Sequence, residues 1–411
     1  MTINKMLNNK KLTVSEHPPY DPLQAFVRDN HIALSGLKEG PLAGLTFGIK
    51  DVFEIQGSTY SNGHPKWLET KEPAEFTASL VTNLLESGAD LVGKTVCDEL
   101  MFSLSGENWH YGSPINPHDP RRYCGGSSSG TVAAVAGNLV DFAVGTDCLG
   151  SIRVPPSYTG TIGIRASIGR IPMDGQAPYS DSLDSTGFVA QDTEIFQKVA
   201  DVMLGAEASE IKFKRLFIPE DSFDSVDPEI KEALEPALNH IKGFFDQVDY
   251  GEISNGKLEE WVKVLQTIQQ YEVWQSYGGW VRKHRPRLSE GPGSRLEQSS
   301  KITLADYQDA LAKREEIMVE VNEIIDEDTL MVLPSAASIA PLRSSTEDEI
   351  NANRLQTSKL LCISPLTGNP QISLPLAEHQ ELPLGISLLS KKNTDQALVK
   401  QAMEIINQFN K

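Results

Sequence analysis

Strand-like and helix-like segments alternate through the first half of this 411-residue chain. LAGLTFGIKDVF has the pattern of a strand, FTASLVTNLLESG that of an amphipathic helix ending at Gly88, and ADLVGKT that of a short buried strand. VCDELMFSL and TVAAVAGN then have helical patterns, and VDFAVGTD is again strand-like. This alternation predicts an α/β fold in which a central mixed or parallel β-sheet is sandwiched between helical layers.

The sequence changes character at about residue 190. Charged segments such as DPEIKEALEPALNHIKGFF have amphipathic helical patterns, and strand-like segments return with LMVLPSA, PQISLPL and PLGISLL. Because strand patterns occur in both halves, one sheet completed by the C-terminal segment is favoured over two independent domains. We therefore predict a single domain over 1–411, with a core at about 41–190, a helical layer at about 190–325 and a C-terminal segment at about 326–411 that completes the sheet.

Charge and hydropathy limit the partners of the chain. A formal net charge of −19 disfavours general binding to nucleic acids and to anionic membrane surfaces, because both repel an acidic protein. No apolar stretch reaches the ~20 residues that a membrane span needs, and the polar N-terminal segment contains no apolar signal core. These features predict a cytoplasmic protein without nucleic-acid or membrane partners.

Cysteine and histidine patterns give no indication of a metal site. Four cysteines occur without a C-x-x-C pair, which argues against a zinc ribbon or a disulfide framework and fits reduced thiols. The eight histidines include no H-E-x-x-H sequence. We predict no metal and no cofactor. The cysteines are Cys97, Cys124, Cys148 and Cys362.

The stretch RRYCGGSSSGTVAAV places two glycines and three serines before an apolar, alanine-rich run. A flexible linker is disfavoured because strand and helix patterns flank the serines closely. A phosphate-binding loop is disfavoured because no lysine follows Gly130, as the G-x-x-x-x-G-K-[ST] pattern requires. The remaining interpretation is a tight glycine turn that presents a serine hydroxyl to partner residues.

Two other segments supply candidate partners for that serine. The turn GTDCLGSIRVPP places Ser151 24 residues after Ser127, and its two prolines are expected to stop any helix there. Lys50 closes the strand-like segment FGIKDVF. Taken singly, such polar residues are ordinary turn, cap or surface positions. Their joint occurrence is what favours a catalytic interpretation.

Together, GGSSSG, GTDCLGSIR and GIKD resemble the signature sequences of the amidase signature family of serine hydrolases. DELMFSLSGEN, YGSPINP, LTGNPQISLP and PLGISLL extend the resemblance through most of the chain. Within the family, SGENWHYGSPINP, SLDSTGFVA and GWVRKHRPRLSEGPG look most like the short plant-type indole-3-acetamide amidases. The resemblance implies the amidase signature fold and the cleavage of a carboxylic amide.

The resemblance also implies roles for individual residues. Ser151 would be the nucleophile, Ser127 a bridging serine after a cis peptide bond, and Lys50 the base, an alternative to a Ser-His-Asp triad. A lysine is a base only when neutral, so burial must lower its pKa. The oxyanion hole would use the backbone N–H groups of Cys148, Leu149, Gly150 and Ser151. Four further positions would orient these loops: Ser128, Thr146, Asp147 and Arg153.

One position departs from the family pattern, which usually has two glycines before the nucleophile. This chain has Leu149 followed by Gly150. A leucine forced into a positive φ would strain the loop, whereas otherwise its side chain would narrow the pocket.

Several side chains that flank the catalytic loops in sequence are candidates for the acyl pocket, with ordinary core packing as the alternative for each. These are Met101, Trp109, Tyr111, Tyr179 and Phe188.

We predict an amidase that cleaves a small amide to acid and ammonia or amine through an acyl-enzyme, acting as a monomer or homodimer. Two alternatives stay open. One is a catalytically weak binding protein with the amidase fold, similar to the chloroplast import receptors, which typically lack the nucleophile that this chain keeps as Ser151. The other is an amidotransferase or acyl-transfer enzyme, similar to the A subunit of the tRNA-dependent amidotransferase. The acyl group itself is not predicted.

Overall fold

A mixed ten-stranded sheet runs through the part of the chain that the structure, a computed structural model, describes, namely residues 20–207 and 211–409. Its strands are β1 (Thr46–Lys50), β2 (Asp90–Thr95), β3 (Phe142–Asp147), β4 (Ile162–Arg165), β5 (Ser185–Ala190), β6 (Arg215–Pro219), β7 (Gln247–Gly251), β8 (Thr329–Pro334), β9 (Gln371–His379) and β10 (Leu382–Leu389). The sequence-based expectation of no secretory signal concerns residues 1–19, which lie outside the described part.

The strand order is β2-β1-β3-β5-β4-β9-β10-β8-β6-β7. Strands β2, β1 and β3 pair in parallel, as do β8, β6 and β7 at the other end. The strands between them pair antiparallel. The predicted mixed α/β sheet is therefore confirmed. The region after residue 190 contributes β6 and β7 as well as helices.

Helices cover the sheet. They are α1 (Pro65–Thr70), α2 (Ser79–Glu86), α3 (Ser129–Ala136), α4 (Val154–Thr159), α5 (Thr193–Met203), α6 (Glu220–Phe223), α7 (Pro228–Lys242), α8 (Leu258–His284), α9 (Glu290–Ser299), α10 (Leu304–Ile324), α11 (Glu347–Leu361), α12 (Ile363–Thr367) and α13 (Asp395–Phe409). Among the residues that the structure describes, none of these helices has the length and apolar character needed to cross a membrane.

Two local expectations were wrong, and both concern segments around the site. Pro155 and Pro156 do not stop a helix but lie at the start of α4, where a proline loses no helical hydrogen bond. VCDELMFSL forms only a short 3₁₀ turn at Glu99–Met101, because Leu100 and Met101 adopt positive φ angles of 49° and 59°. The chain therefore turns back toward the sheet at this point.

The middle of the sheet is buried on both faces. Every residue of β3, β5 and β8 is buried, as expected for strands covered by helices on two sides. The predominantly apolar strand β10 continues this core, and Leu388, the second-last residue of the strand, is fully buried.

We expect Leu388→Ala to lower the free energy of unfolding by about 2–5 kcal/mol, because it removes a buried side chain and leaves a cavity. Leu304→Ala is the matched control, since Leu304 is 55% exposed, and we expect it to stay within about 0.5 kcal/mol of the parent. Urea unfolding followed by circular dichroism measures both. Equal stabilities of the two variants would contradict the placement of β10 in the core.

Candidate active site

Neighbouring parallel strands bring the candidate residues to one edge of the sheet. Lys50 is the last residue of β1 and Asp147 the last of β3, and these two strands pair in parallel. Their carboxyl ends therefore open at the same edge, which is where α/β sheets place their sites. The Gly/Ser loop before α3 and the turn between β3 and α4 both lie at this edge.

A continuous chain of hydrogen bonds joins the three proposed catalytic side chains. Lys50 Nζ lies 2.8 Å from Ser127 Oγ, and Ser127 Oγ lies 2.9 Å from Ser151 Oγ. Lys50 Nζ also donates to Thr146 Oγ1 at 2.9 Å. The peptide bond between Gly126 and Ser127 is cis, as the resemblance implied. The structure thus brings together the residues that the sequence motifs singled out.

The amine of Lys50 is fully buried, and this burial lowers its pKa. Burial disfavours the charged ammonium because water no longer solvates it. Nearby acidic groups oppose the effect, among them Asp98, Asp184 and Asp147, but they do not reverse it. A lysine in this position is more easily deprotonated than an ordinary one.

Asp98 belongs to the site although the sequence analysis did not single it out. Its backbone N–H donates to Ser127 O at 3.1 Å, and its carboxylate accepts the N–H of Gly106 at 3.0 Å. Burial raises its pKa to about 6. A Cβ atom on Gly126 would lie 1.9 Å from Asp98 Oδ2, so only glycine fits there. The signal was present in DELMFSLSGEN, which begins with Asp98.

A buried ion pair fixes the turn that carries Ser151. Arg153 donates to Asp147 through Nε at 3.0 Å and Nη2 at 2.8 Å, and Asp147 also accepts the N–H of Ile152 at 3.0 Å. Burial alone would raise the pKa of Asp147, but the charge and hydrogen bonds of Arg153 lower it. Arg153 is fully buried, so the alternative of a surface cation is excluded.

Thr146 and Ser128 take part in the same network. Thr146 Oγ1 accepts from Lys50 and lies 3.5 Å from Met101 Sδ, while Ser128 Oγ lies 3.4 Å from Thr146 O. Both side chains are buried. They hold the end of β3 against the Gly/Ser loop.

Leu149 is accommodated without backbone strain. The φ angle of Leu149 is not positive, whereas that of Gly150 is 149°. A Cβ atom on Gly150 would lie 2.3 Å from Leu361 Cδ1. Leu149 instead lines the void at Ser151, so its effect is to narrow the pocket.

The backbone around this turn offers hydrogen-bond donors. Within the described part of the chain, the N–H groups of Leu149, Gly150 and Ser151 donate to no other protein group. Free N–H groups beside a nucleophile are what an oxyanion hole requires.

Two neighbouring spaces lie at or near Ser151. A void of about 10 Å³, enough for about one water molecule, is lined by Ser151 together with Met101, Leu149 and Tyr179. A larger cavity of about 510 Å³ lies beside it and includes Trp109. Ser103, Leu104 and Arg354 line both spaces and form the boundary between them.

Two of the five predicted pocket residues are not part of either space. Phe188 is fully buried in β5 with its ring 4.7 Å from that of Phe196, so it belongs to the core. Tyr111 lies beside Asp51 and Ser61, which are among the groups that affect its pKa. Met101, Tyr179 and Trp109 do line the spaces. Sequence reasoning missed Arg354 and Gln269, which α11 and α8 bring to the void from far along the chain.

His64, Glu99 and His110 form a cluster that the sequence did not predict, with ligand-type atoms within 4.8 Å of one another. His64 Nδ1 accepts the N–H of Lys66 at 2.9 Å, which leaves Nε2 to donate to Arg287 O at 3.2 Å. His110 Nε2 lies 2.7 Å from Glu99 Oε1. These hydrogen bonds engage His64 Nε2, His110 Nε2 and Glu99 Oε1, the atoms that would bind a metal ion. We therefore interpret the cluster as a hydrogen-bonded structural contact.

The fold and the site define an α/β protein with a buried serine-serine-lysine site at the edge of a mixed sheet. A family model described as Amidase matches residues 15–242. Amidase 1 of Arabidopsis thaliana is 31% identical over 403 residues, which cover 90% of this chain and 95% of that protein. The chain belongs to the amidase family, which confirms the resemblance.

Other relatives agree with this assignment. Outer envelope protein 64, chloroplastic, of Arabidopsis thaliana is 32% identical over 385 residues that cover 87% of this chain, and the match spans only 65% of that longer protein. A crystal structure of an amidase superposes with a TM-score of 0.81 at 26% identity, covering 90% of this chain and 86% of that one.

We expect Gly150→Ala to slow labelling of Ser151 by a fluorophosphonate probe at least about tenfold, because the added Cβ displaces the turn and its N–H donors. Gly169→Ala is the matched control, since Gly169 also has a positive φ (84°) but no atom lies within 4 Å of an added Cβ. Mass spectrometry of the adduct gives both rates. Unchanged labelling in folded Gly150→Ala would contradict the proposed geometry of the turn.

Proposed function

We propose that this protein is an amidase that hydrolyses a small carboxylic amide to an acid and ammonia or an amine, with Ser151 as nucleophile, Ser127 as bridging residue and Lys50 as base. The observation that carries the proposal is the unbroken hydrogen-bond chain from Lys50 through Ser127 to Ser151. A serine hydroxyl is a weak nucleophile by itself and needs such a base within hydrogen-bond reach.

The protonation state of Lys50 sets the direction of this chain. When Lys50 is charged, its ammonium donates to Ser127 and Ser127 donates to Ser151, so the nucleophile keeps its proton. When Lys50 is neutral, its lone pair accepts from Ser127, and Ser127 is free to accept from Ser151. Because burial lowers the pKa of Lys50, the reactive direction is reached at a lower pH than an ordinary lysine would allow.

The reaction then follows from the geometry. Ser151 Oγ attacks the amide carbon as its proton passes through Ser127 to Lys50. The N–H groups of Leu149, Gly150 and Ser151 stabilise the oxyanion of the tetrahedral intermediate. Lys50 returns the proton through Ser127 to the leaving nitrogen, which departs as ammonia or amine. Water attacks the resulting ester by the same proton route and releases the acid.

A second candidate is a binding protein with the amidase fold and weak catalysis. The small volume of the void at Ser151, about 10 Å³, favours it, because no acyl group fits there unless the boundary opens. Intact Ser151 and Lys50 favour the enzyme.

The proposal includes a cytoplasmic protein that acts on small molecules and does not bind nucleic acids or membranes. Its formal net charge of −19 supports this, since the phosphates of both partners would repel it.

We expect a fluorophosphonate probe to label wild-type protein at Ser151, and labelling to be lost in Ser151→Ala and to fall at least about 100-fold in Lys50→Ala. Ser127→Ala breaks the proton route and should also label slowly. Ser300→Ala is the control, since it removes an exposed serine hydroxyl that donates to Glu297 O, outside the hydrogen-bond chain. If folded wild-type protein is not labelled, the second candidate replaces the first.

We expect the labelling rate to rise with pH as Lys50 loses its proton, with the rise centred below the ~10.4 of an ordinary lysine. Asp98 carries a negative charge that raises the pKa of Lys50. Asp98→Asn removes that charge, so the pKa of Lys50 should fall further and the rise should move to lower pH. A pH profile of both proteins tests this, with a thermal melt to confirm folding. A shift to higher pH would contradict Lys50 as the titrating base.

A further inference from the structure

The boundary between the void and the large cavity contains one charged side chain. Ser103, Leu104 and Arg354 line both spaces, and Ser151 lies on the void side. An acyl group exceeds about 10 Å³, so a substrate at Ser151 would extend past this boundary toward the large cavity. It would then lie against Arg354.

Arg354 is half-buried, and its guanidinium lacks the acidic partner that such a group normally has. Its Nε is buried and makes no hydrogen bond, and no carboxylate lies within ion-pair distance of it among the described residues. Arg guanidinium groups present a planar fork of donors that fits a carboxylate with two parallel hydrogen bonds. Burial of such a group without an anion is unfavourable unless a ligand supplies one.

A second guanidinium lies close by. Arg295, half-buried in α9, also lines the cavity and donates through Nε to Phe102 O at 2.7 Å. Burial lowers the pKa of Arg295 first, and the positive charge of Arg354 lowers it further. Both groups stay charged at neutral pH. Two like charges at one wall of the cavity repel each other, and a bound anion would relieve the repulsion.

The remaining charges of the cavity are arranged differently. The guanidinium of Arg287 lies over the ring of Trp109, 4.6 Å from the ring centroid. Arg343 donates to three backbone carbonyls, those of Arg122, Ser113 and Pro114, so its donors are used. The glutamates of the cavity, Glu107, Glu290 and Glu347, are exposed residues at its rim. Glu347 is near enough to Arg295 to favour its charge, but it does not form an ion pair with it among the described residues. The inner wall is therefore positive.

We propose that Arg354, assisted by Arg295, binds a carboxylate on the substrate, so that the preferred substrates are monoamides of short dicarboxylic acids. The inference rests on the proposed function, because it names the acyl group that Ser151 would receive. Arg354 would be a specificity residue rather than a catalytic one. The carboxylate would lie at the boundary, with the amide directed toward Ser151.

Binding to Ser151→Ala tests this proposal without turnover. Isothermal titration calorimetry would compare malonamate, succinamate and glutaramate with 4-oxopentanamide, in which a methyl ketone replaces the carboxylate of succinamate at nearly the same size. We expect at least one of the three anionic amides to bind about 10- to 100-fold more tightly than the ketone, as a charged hydrogen-bonded pair requires. Arg354→Gln in the same background should remove that preference.

Two further variants separate binding from folding. Arg354→Lys keeps the charge but not the fork, so we expect it to restore part of the preference for the anionic amide. Arg282→Gln changes the net charge by the same amount at an exposed site of α8 outside the cavity, and should bind as Ser151→Ala does. Thermal melts confirm that each variant is folded.

The proposal would be overturned if none of the three anionic amides bound more tightly than the ketone. An unchanged preference in folded Arg354→Gln would overturn it as well. A different result would contradict the proposed function, namely that the fluorophosphonate probe does not label Ser151 in wild-type protein. Labelled Ser151 without anion preference would leave an amidase of neutral substrates.

Discussion

The burial of one amine at the end of β1 is the constraint on which the site depends. Lys50 has no contact with water, so its nitrogen must be satisfied by protein groups, and Ser127 and Thr146 are the ones provided. An ammonium is costly to bury and a neutral amine much less so. The same burial that requires these hydroxyl partners therefore also weakens the hold of the lysine on its proton. The burial of the Lys50 amine thus accounts both for its hydroxyl partners and for its proposed role as a base.

The loops around that amine are held by groups with little freedom. Gly126 leaves no room for a side chain beside Asp98, and Gly150 has none beside Leu361. The buried pair of Asp147 and Arg153 fixes the turn between them. Asp147 also pairs with the buried Arg165 at 3.4 Å, so removing Asp147 would leave two buried guanidinium groups without their carboxylate, which is costly. The hydrogen bonds that Asp147 accepts from Arg153 and from the N–H of Ile152 therefore also help to fix the position of Ser151.

Much of this could be predicted from the sequence, because the informative signals were local. Ordered motifs identified Lys50, Ser127 and Ser151, and the alternation of patterns identified the sheet. The predictions that were wrong or missing concern features that depend on tertiary packing. Phe188 is near the catalytic loops in sequence, but successive residues of a strand face opposite sides, and its side chain lies in the core. The positive φ angles of Leu100 and Met101, and the arrival of Arg354 from α11, depend on packing that no local pattern encodes.

The anchoring of Arg153 has a consequence for the biosynthesis of the protein. Besides Asp147, Arg153 donates to Leu361 O at 2.9 Å and to Gln371 Oε1 at 2.7 Å, more than 200 residues further along the chain. A nascent chain that has exposed the three motif segments but neither α11 nor β9 lacks these acceptors. Its serine turn is then unsupported, and the site assembles only when the late strands have entered the sheet. The reactivity proposed for Ser151 would thus be a property of the folded chain, and a ribosome-bound fragment with every signature residue would lack it.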